Sequence, residues 1–149
     1  MVIAGGTSDT VGYGKELKEL SRDDDRIIFT GFVQGKVLEE LYSNAYIYCL
    51  PSDLEGMPLS LLEAMSYGNC CLVSDIDECK EVVEGKGVTF LRGNVDSLRE
   101  KLEWLLENKD AVEKYKNEAA AFICSKYNWD DVVAQTLALY RGEEGEPHG

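Results

Sequence analysis

The chain has 149 residues, with 15 Lys+Arg against 28 Asp+Glu for a formal net charge of −13, and it is 44% hydrophobic and 29% charged. That is a globular mix, and at this length one domain buries about 68–70% of its unfolded surface. A sequence pI of 4.4 excludes a basic face for nucleic acid or a polybasic membrane patch. No apolar run reaches the ~20 residues of a spanning helix, and no basic segment followed by an apolar one opens the chain, so a cytoplasmic location is expected.

In chain order, Val2-Ile3-Ala4 predicts a clipped strand ending at Gly5-Gly6, and Lys15–Leu20 a helix with apolar residues three apart. Asp23-Asp24-Asp25 reads as a solvated turn that breaks it. Ile27–Thr30 predicts the second strand, Lys36–Ser43 a short helix with Val37, Leu38 and Leu41 on one face, and Tyr46–Leu50 the third strand, stopped by Pro51. Pro58 suits a first helical position, and the apolar helix after it ends at Gly68. Cys70–Val73 is the fourth strand, Glu78–Val83 a short helix and Val88–Leu91 the fifth strand. Helices Val95–Leu106, Ala111–Tyr127 and Trp129–Tyr140 follow, and the Gly/Glu/Pro-rich tail 142–149 is expected to fray.

Strands alternating with helices imply parallel βαβ units: an α/β, Rossmann-like doubly wound sheet with helices on both faces and a helical C-terminus. The strands read as continuous apolar runs, as expected when both faces are covered. The chain begins almost inside a strand, so it is expected to be part of a longer protein.

Cys49, Cys70, Cys71, Cys79 and Cys124 form no CxxC and are odd in number, so they read as free, buried thiols in a reducing compartment. Cys79, in a polar stretch, is the one expected to be exposed. Trp104 with Leu98, Leu102 and Leu105 is expected to pack over the sheet, and Trp129 to anchor the last helix. Val132, Val133, Leu137 and Tyr140 are expected to leave an apolar stripe on that helix.

In an open parallel sheet, ligands sit beyond the carboxyl ends of the strands. The loops there are Gly5-Gly6-Thr7, Gly31-Phe32-Val33, Ser52–Pro58, Ser74–Asp77 and Arg92-Gly93. The Asp53–Pro58 loop runs into the apolar helix, and Gly56 in it allows close backbone approach. The amides of Leu59, Ser60 and Leu61 are expected to point freely from the helix N-terminus, an anion site of about half a positive charge. Glu55 precedes that helix and Glu63 lies inside it. Glu63 either faces solvent or offers two acceptor oxygens to a polyhydroxyl ligand, and spacing alone leaves both open.

The run Glu55-Gly56-Met57-Pro58-Leu59-Ser60-Leu61-Leu62-Glu63-Ala64-Met65-Ser66-Tyr67-Gly68 resembles the E-x7-E signature of the GT-B glycosyltransferases of family four, also called group 1. Its flanks agree: Ile28-Phe29-Thr30-Gly31-Phe32, Tyr48-Cys49-Leu50-Pro51-Ser52, Leu72-Val73-Ser74-Asp75 with Glu81-Val82-Val83, and the stretch from Tyr127-Asn128-Trp129 to Leu139-Tyr140. The resemblance implies that residues 1–141 are a partial C-terminal, nucleotide-sugar-binding domain. Glu55 would then hydrogen-bond hydroxyls of the donor sugar as the catalytic carboxylate, and Glu63 the ribose hydroxyls. Backbone over Gly56, Met57, Pro58, Leu59 and Ser60 would meet the sugar and diphosphate, and Gly31, Phe32 and Val33 would frame the base.

The implied reaction is retaining hexosyl transfer from a nucleotide-diphospho-sugar, with no metal and no other cofactor. The acceptor, a saccharide or a lipid-linked sugar, would be held by an N-terminal domain outside this chain, and the parent enzyme would sit peripherally at the inner membrane face. The family domain's first strand, and the phosphate-binding Arg and Lys beside it, have no counterpart here. Ile76-Asp77-Glu78-Cys79-Lys80 stands where the family usually carries glycines. The chain alone is therefore expected to bind donor weakly and to transfer no sugar. With a family strand order of 3-2-1-4-5-6 a central strand is missing, so a new pairing, a homodimer or strand exchange is expected to fill the gap.

Other patterns are weaker. Asp75-Ile76-Asp77 matches a three-letter metal motif of a different transferase class. Gly12-Tyr13-Gly14-Lys15 fails the phosphate-loop spacing. An epimerase or phosphorylase on the same fold would need histidines at the site, and the one His is His148 in the tail. The alternative from another class is a non-catalytic, doubly wound regulatory or interaction domain, in which changing Glu63 does nothing to nucleotide affinity.

Overall fold

Strands and helices alternate through β1 (Val2–Ala4), α1 (Val11–Leu20), β2 (Ile28–Gly31), α2 (Lys36–Asn44), β3 (Ile47–Leu50), α3 (Leu59–Ser66), β4 (Cys70–Ser74), α4 (Asp77–Val83) and β5 (Val88–Phe90), and the helices α5 (Val95–Glu107), α6 (Lys109–Lys126) and α7 (Trp129–Arg141) follow. The structure, a computed structural model, describes residues 1–6 and 11–142, apart from the side chains of Val11 and Trp129. Thr7, the expected Trp129 anchor, His148 and the tail beyond Gly142 lie outside the described residues. Every element read from the sequence is present. The largest shift is at α1, which starts at Val11 rather than Lys15 and takes Gly12 and Gly14 into the helix.

The chain divides into two units, Met1–Leu41 and Tyr42–Gly149. In the first, β1 and β2 pair in parallel, Val2 opposite Ile28 and Ala4 opposite Gly31, with a register shift between Ile3 and Ala4. None of its described residues is buried. A two-stranded sheet of this kind has almost no core of its own. The acidic turn is ordered by Arg26, whose guanidinium bonds both Asp24 oxygens at 2.8 and 2.7 Å and holds that carboxyl at about 2.

In the second unit, β3, β4 and β5 form a parallel three-stranded sheet with β4 in the centre. All five residues of β4 are buried. β3, paired on one side only, is part-exposed, so the expectation of covered faces holds for the central strand alone. Cys70, Leu72, Val88, Phe90, Leu105 and Val112 make the core, with Ile47, Leu98, Leu102 and Tyr115 packed on it. The expected single sheet is therefore divided: among the described residues the strands pair only as β1–β2 and β3–β4–β5. Among the described residues no new pairing fills the expected gap.

Three further expectations are corrected. Cys79 is in α4, not a polar loop, and is fully buried on the face it shares with Val82 and Val83. Burial pushes its thiol up to about 11, as it does that of Cys70. Cys49, on the half-paired β3, and Cys124, on α6, are the exposed thiols instead. Trp104 is 42% exposed because Leu98, Leu102 and Leu105 take the inward face of α5. The α7 stripe is as expected, with Val132, Val133, Leu137 and Tyr140 all exposed.

Gly87, at the entry to β5, sits where a Cβ would come within 3.0 Å of both the Cys71 carbonyl and Val83 Cγ1. Gly87→Ala is expected to destabilise by about 1–3 kcal/mol through overpacking, measured by chemical denaturation.

Candidate functional site

The registers Leu50↔Val73 and Ser74↔Phe90 end all three strands of the second sheet at one edge. The loops that leave this edge are tied to one another. The Asp75 amide donates to the Phe90 carbonyl at 2.9 Å, and the Arg92 amide to Asp75 Oδ1 at 2.7 Å. Arg92 Nη1 donates to the Asp53 carbonyl at 3.3 Å. Ser74 Oγ donates to the Ser52 carbonyl at 2.5 Å, and Ser52 Oγ donates to Glu55 Oε1 at 2.6 Å. Glu55 is thereby held, partly buried, with one oxygen committed to the protein.

The loop enters α3 through Pro58, which is buried and caps the helix at φ −76°, ψ 75°. That conformation turns two of the three expected free amides inward. Leu59 N donates to the Met57 carbonyl at 2.8 Å and Leu61 N to the Pro58 carbonyl at 2.9 Å. Only Ser60 keeps an amide without an acceptor among the described residues. Gly56 faces open space, with nothing within 4 Å of where a Cβ would stand, and Met57 and Leu59 are exposed beside it.

Along α3, Leu61, Ala64 and Met65 point into the core, which leaves Glu63 on the outer face. Its carboxylate is not simply solvated. Tyr42 Oη donates to Glu63 Oε2 at 3.1 Å and lies 3.3 Å from the Ser60 carbonyl. Tyr48 Oη donates to Ser60 Oγ at 2.9 Å. Burial raises both phenols, Tyr48 to about 12, so both remain protonated donors at neutral pH. Buried Asn69 closes the cluster, its Nδ2 donating to the Tyr42 carbonyl at 3.0 Å and the Ala64 carbonyl at 2.9 Å.

The structure thus gathers Glu55, Gly56, Met57, Pro58, Leu59, Ser60 and Glu63 around one helix start. Gly31, Phe32 and Val33 belong to the first unit. There the Gly5 amide donates to the Gly31 carbonyl at 2.9 Å, so Gly5-Gly6 and Gly31-Phe32 leave β1 and β2 side by side, with Phe32 exposed. Tyr42, Tyr48, Ser52, Ser74 and Arg92 were not assigned roles from the sequence. Ser52, Ser74 and Arg92 lie in the loops beyond the strand ends, and Tyr48, Ser52 and Ser74 in the flanks that carry the family resemblance; those are the sequence signals they offer.

A cleft of about 390 Å3 at the same sheet edge is lined by Asp53, Leu54, Asp75, Ile76, Asp77, Glu78 and Arg92. Neither Glu55 nor Glu63 lines it. Two of its four acidic residues have partners of their own: Asp75 takes the Arg92 amide, and Asp77 pairs with Lys80 at 2.8 Å, which lowers the Asp77 carboxyl below its usual range. Among the described residues no cluster of three or more His, Cys, Asp or Glu is arranged around a metal position.

The sequence model of the family "Glycosyl transferases group 1" matches residues 1–140. An uncharacterized glycosyltransferase of Methanocaldococcus jannaschii is 29% identical over 143 residues, covering 95% of this chain and 36% of that protein. The N,N'-diacetylbacillosaminyl-diphospho-undecaprenol alpha-1,3-N-acetylgalactosaminyltransferase of Campylobacter jejuni is 35% identical over 104 residues, 68% of this chain and 27% of that protein. Among solved structures, Anabaena HepE in complex with UDP and glucose superposes with a TM-score of 0.82 at 19% identity, over 92% of this chain and 40% of that one. It shares the fold. The chain spans about a third of the length of these proteins.

Asn69→Ala removes the donor from two carbonyls at a buried position, and is expected to cost about 1–3 kcal/mol of stability, measured by thermal or chemical unfolding.

Proposed function

Because the chain belongs to the group 1 glycosyl transferases, whose sequence model spans residues 1–140, we propose that residues 1–141 are the donor-binding half of a retaining glycosyltransferase that needs no metal. It passes a hexosyl group from a nucleotide-diphospho-sugar to a saccharide or lipid-linked acceptor held by the rest of the full-length protein. The observation that carries this reading is the pair of carboxylates bracketing the start of α3, each held through one oxygen by one protein hydroxyl, Ser52 on Glu55 and Tyr42 on Glu63. An ionised carboxylate has about four acceptor positions, so each keeps several for ligand hydroxyls. Polyols are the ligands that such a pair suits.

In this reading Glu55 takes hydroxyls of the donor sugar and Glu63 those of the ribose. The Ser60 amide, with open backbone over Gly56 and Met57 leading into Pro58 and Leu59, meets the diphosphate. A helix N-terminus favours negative charge that grows as the diphosphate leaves, a task cations perform elsewhere. The bond from the anomeric carbon to the diphosphate oxygen breaks. A bond to the acceptor oxygen forms, and the acceptor hydroxyl's proton passes to the departing diphosphate oxygen.

The Campylobacter relative is named for a lipid-linked acceptor, which supports that acceptor class. No helix among the described residues is long and apolar enough to cross a membrane, and we place the enzyme in the cytoplasm, peripheral at the inner membrane face. The unpaired edge of β3 suits a further strand, from the rest of the protein or by exchange with a second copy.

The test is a thermal-shift titration of the full-length protein with UDP, GDP and ADP. Ligand at 100 times its dissociation constant stabilises by about 2.7 kcal/mol. One base should give that shift, and Glu63→Gln should abolish it. An equal shift in Glu63→Gln favours the regulatory or interaction-domain alternative.

A further inference from the structure

Glu63 is an exposed residue on the outer face of α3. A free glutamate there samples many rotamers, and fixing one on binding costs conformational entropy. Tyr42 removes much of that freedom. The residue is 8% exposed, its ring stacked on Tyr67 with centroids 5.4 Å apart and tilted against Tyr48 at 6.0 Å. Its backbone is fixed as well, since the Asn69 side chain donates to its carbonyl at 3.0 Å. Both ends of the tyrosine are therefore set before any ligand arrives, and its hydroxyl points at Glu63 Oε2 from 3.1 Å.

We infer that Tyr42 is a positioning residue for Glu63, holding one carboxylate oxygen so that the other is presented to the ribose hydroxyls of the donor nucleotide. This rests on the reading of Glu63 as a ribose acceptor. The phenol acts only as a donor. Burial keeps it protonated far above neutral pH, so the arrangement persists wherever the carboxylate is ionised. The same hydroxyl lies 3.3 Å from the Ser60 carbonyl, which places it over the first turn of α3 as well as over Glu63. Preorganising a carboxylate in this way sharpens the distinction between a ligand that has the hydroxyl and one that lacks it, because only the former uses the presented oxygen.

The readout is a ratio that general stability changes do not move. Dissociation constants of UDP, GDP and ADP are measured against those of their 2′-deoxy counterparts for the full-length wild type, Tyr42→Phe and Glu63→Gln. Tyr42→Phe keeps the ring and its stacking, and a melting curve checks that it folds as wild type does. The preference for the ribonucleotide is expected to fall by about tenfold in Tyr42→Phe, the usual worth of a hydrogen bond to a charged group, and to vanish in Glu63→Gln. A preference lost in Glu63→Gln but intact in Tyr42→Phe overturns the inference and leaves the reading of Glu63 standing. A wild type that binds both forms of the nucleotide equally overturns both.

Discussion

Parallel pairing of β4 with β3 and β5 decides where everything else in the second unit can be. Because the registers are regular, with Leu50 opposite Val73 and Ser74 opposite Phe90, the three strands stop together and their loops leave from one edge. Backbone and side-chain hydrogen bonds at that edge then join the loops. Ser74 reaches across to the Ser52 carbonyl and Arg92 to the Asp53 carbonyl, so the segment before Glu55 is anchored from the end of β4 and from the loop after β5. Loops carry function when a rigid scaffold sets their ends, and here β4, buried along its whole length, is that scaffold.

From that anchor the two carboxylates acquire their geometry by the same device. A neutral hydroxyl donates to one oxygen of each, at 2.6 Å for Glu55 and 3.1 Å for Glu63. Hydroxyl donors hold an anion without neutralising it, so both glutamates retain charge and acceptor capacity. No arginine or lysine is bonded to either one among the described contacts. A pair of cations would satisfy the carboxylates and leave less for a polyol ligand. In the neighbouring cleft Asp77 is paired with a cation, Lys80, while Asp75 accepts the Arg92 backbone amide.

The order of elements was legible in the sequence because short continuous apolar runs alternate with stretches of helical periodicity. Glu55 and Glu63 were legible as a spaced pair. What lay beyond reach depended on single backbone angles or on distant packing. Pro58 at ψ 75° turns the Leu59 and Leu61 amides inward, and nothing in the run of residues encodes that angle. Trp104 looks like core by composition, yet Leu98, Leu102 and Leu105 already supply the inward stripe of α5, and the tryptophan falls beside it. Cys79 was readable in principle: Asp77 and Glu78 suit a helix start, and Cys79, Val82 and Val83 share one face. The tyrosine contacts to Ser60 and Glu63 span 12 to 21 residues, and no local pattern announces them.

A crystal structure of the full-length protein soaked with UDP, GDP or ADP tests the central claim most directly, since it locates the nucleotide without reference to activity. The account predicts ribose hydroxyls on the Glu63 oxygen that Tyr42 leaves free, and diphosphate at the Ser60 amide. A nucleotide bound elsewhere, or one whose ribose makes no contact with Glu63, would contradict it.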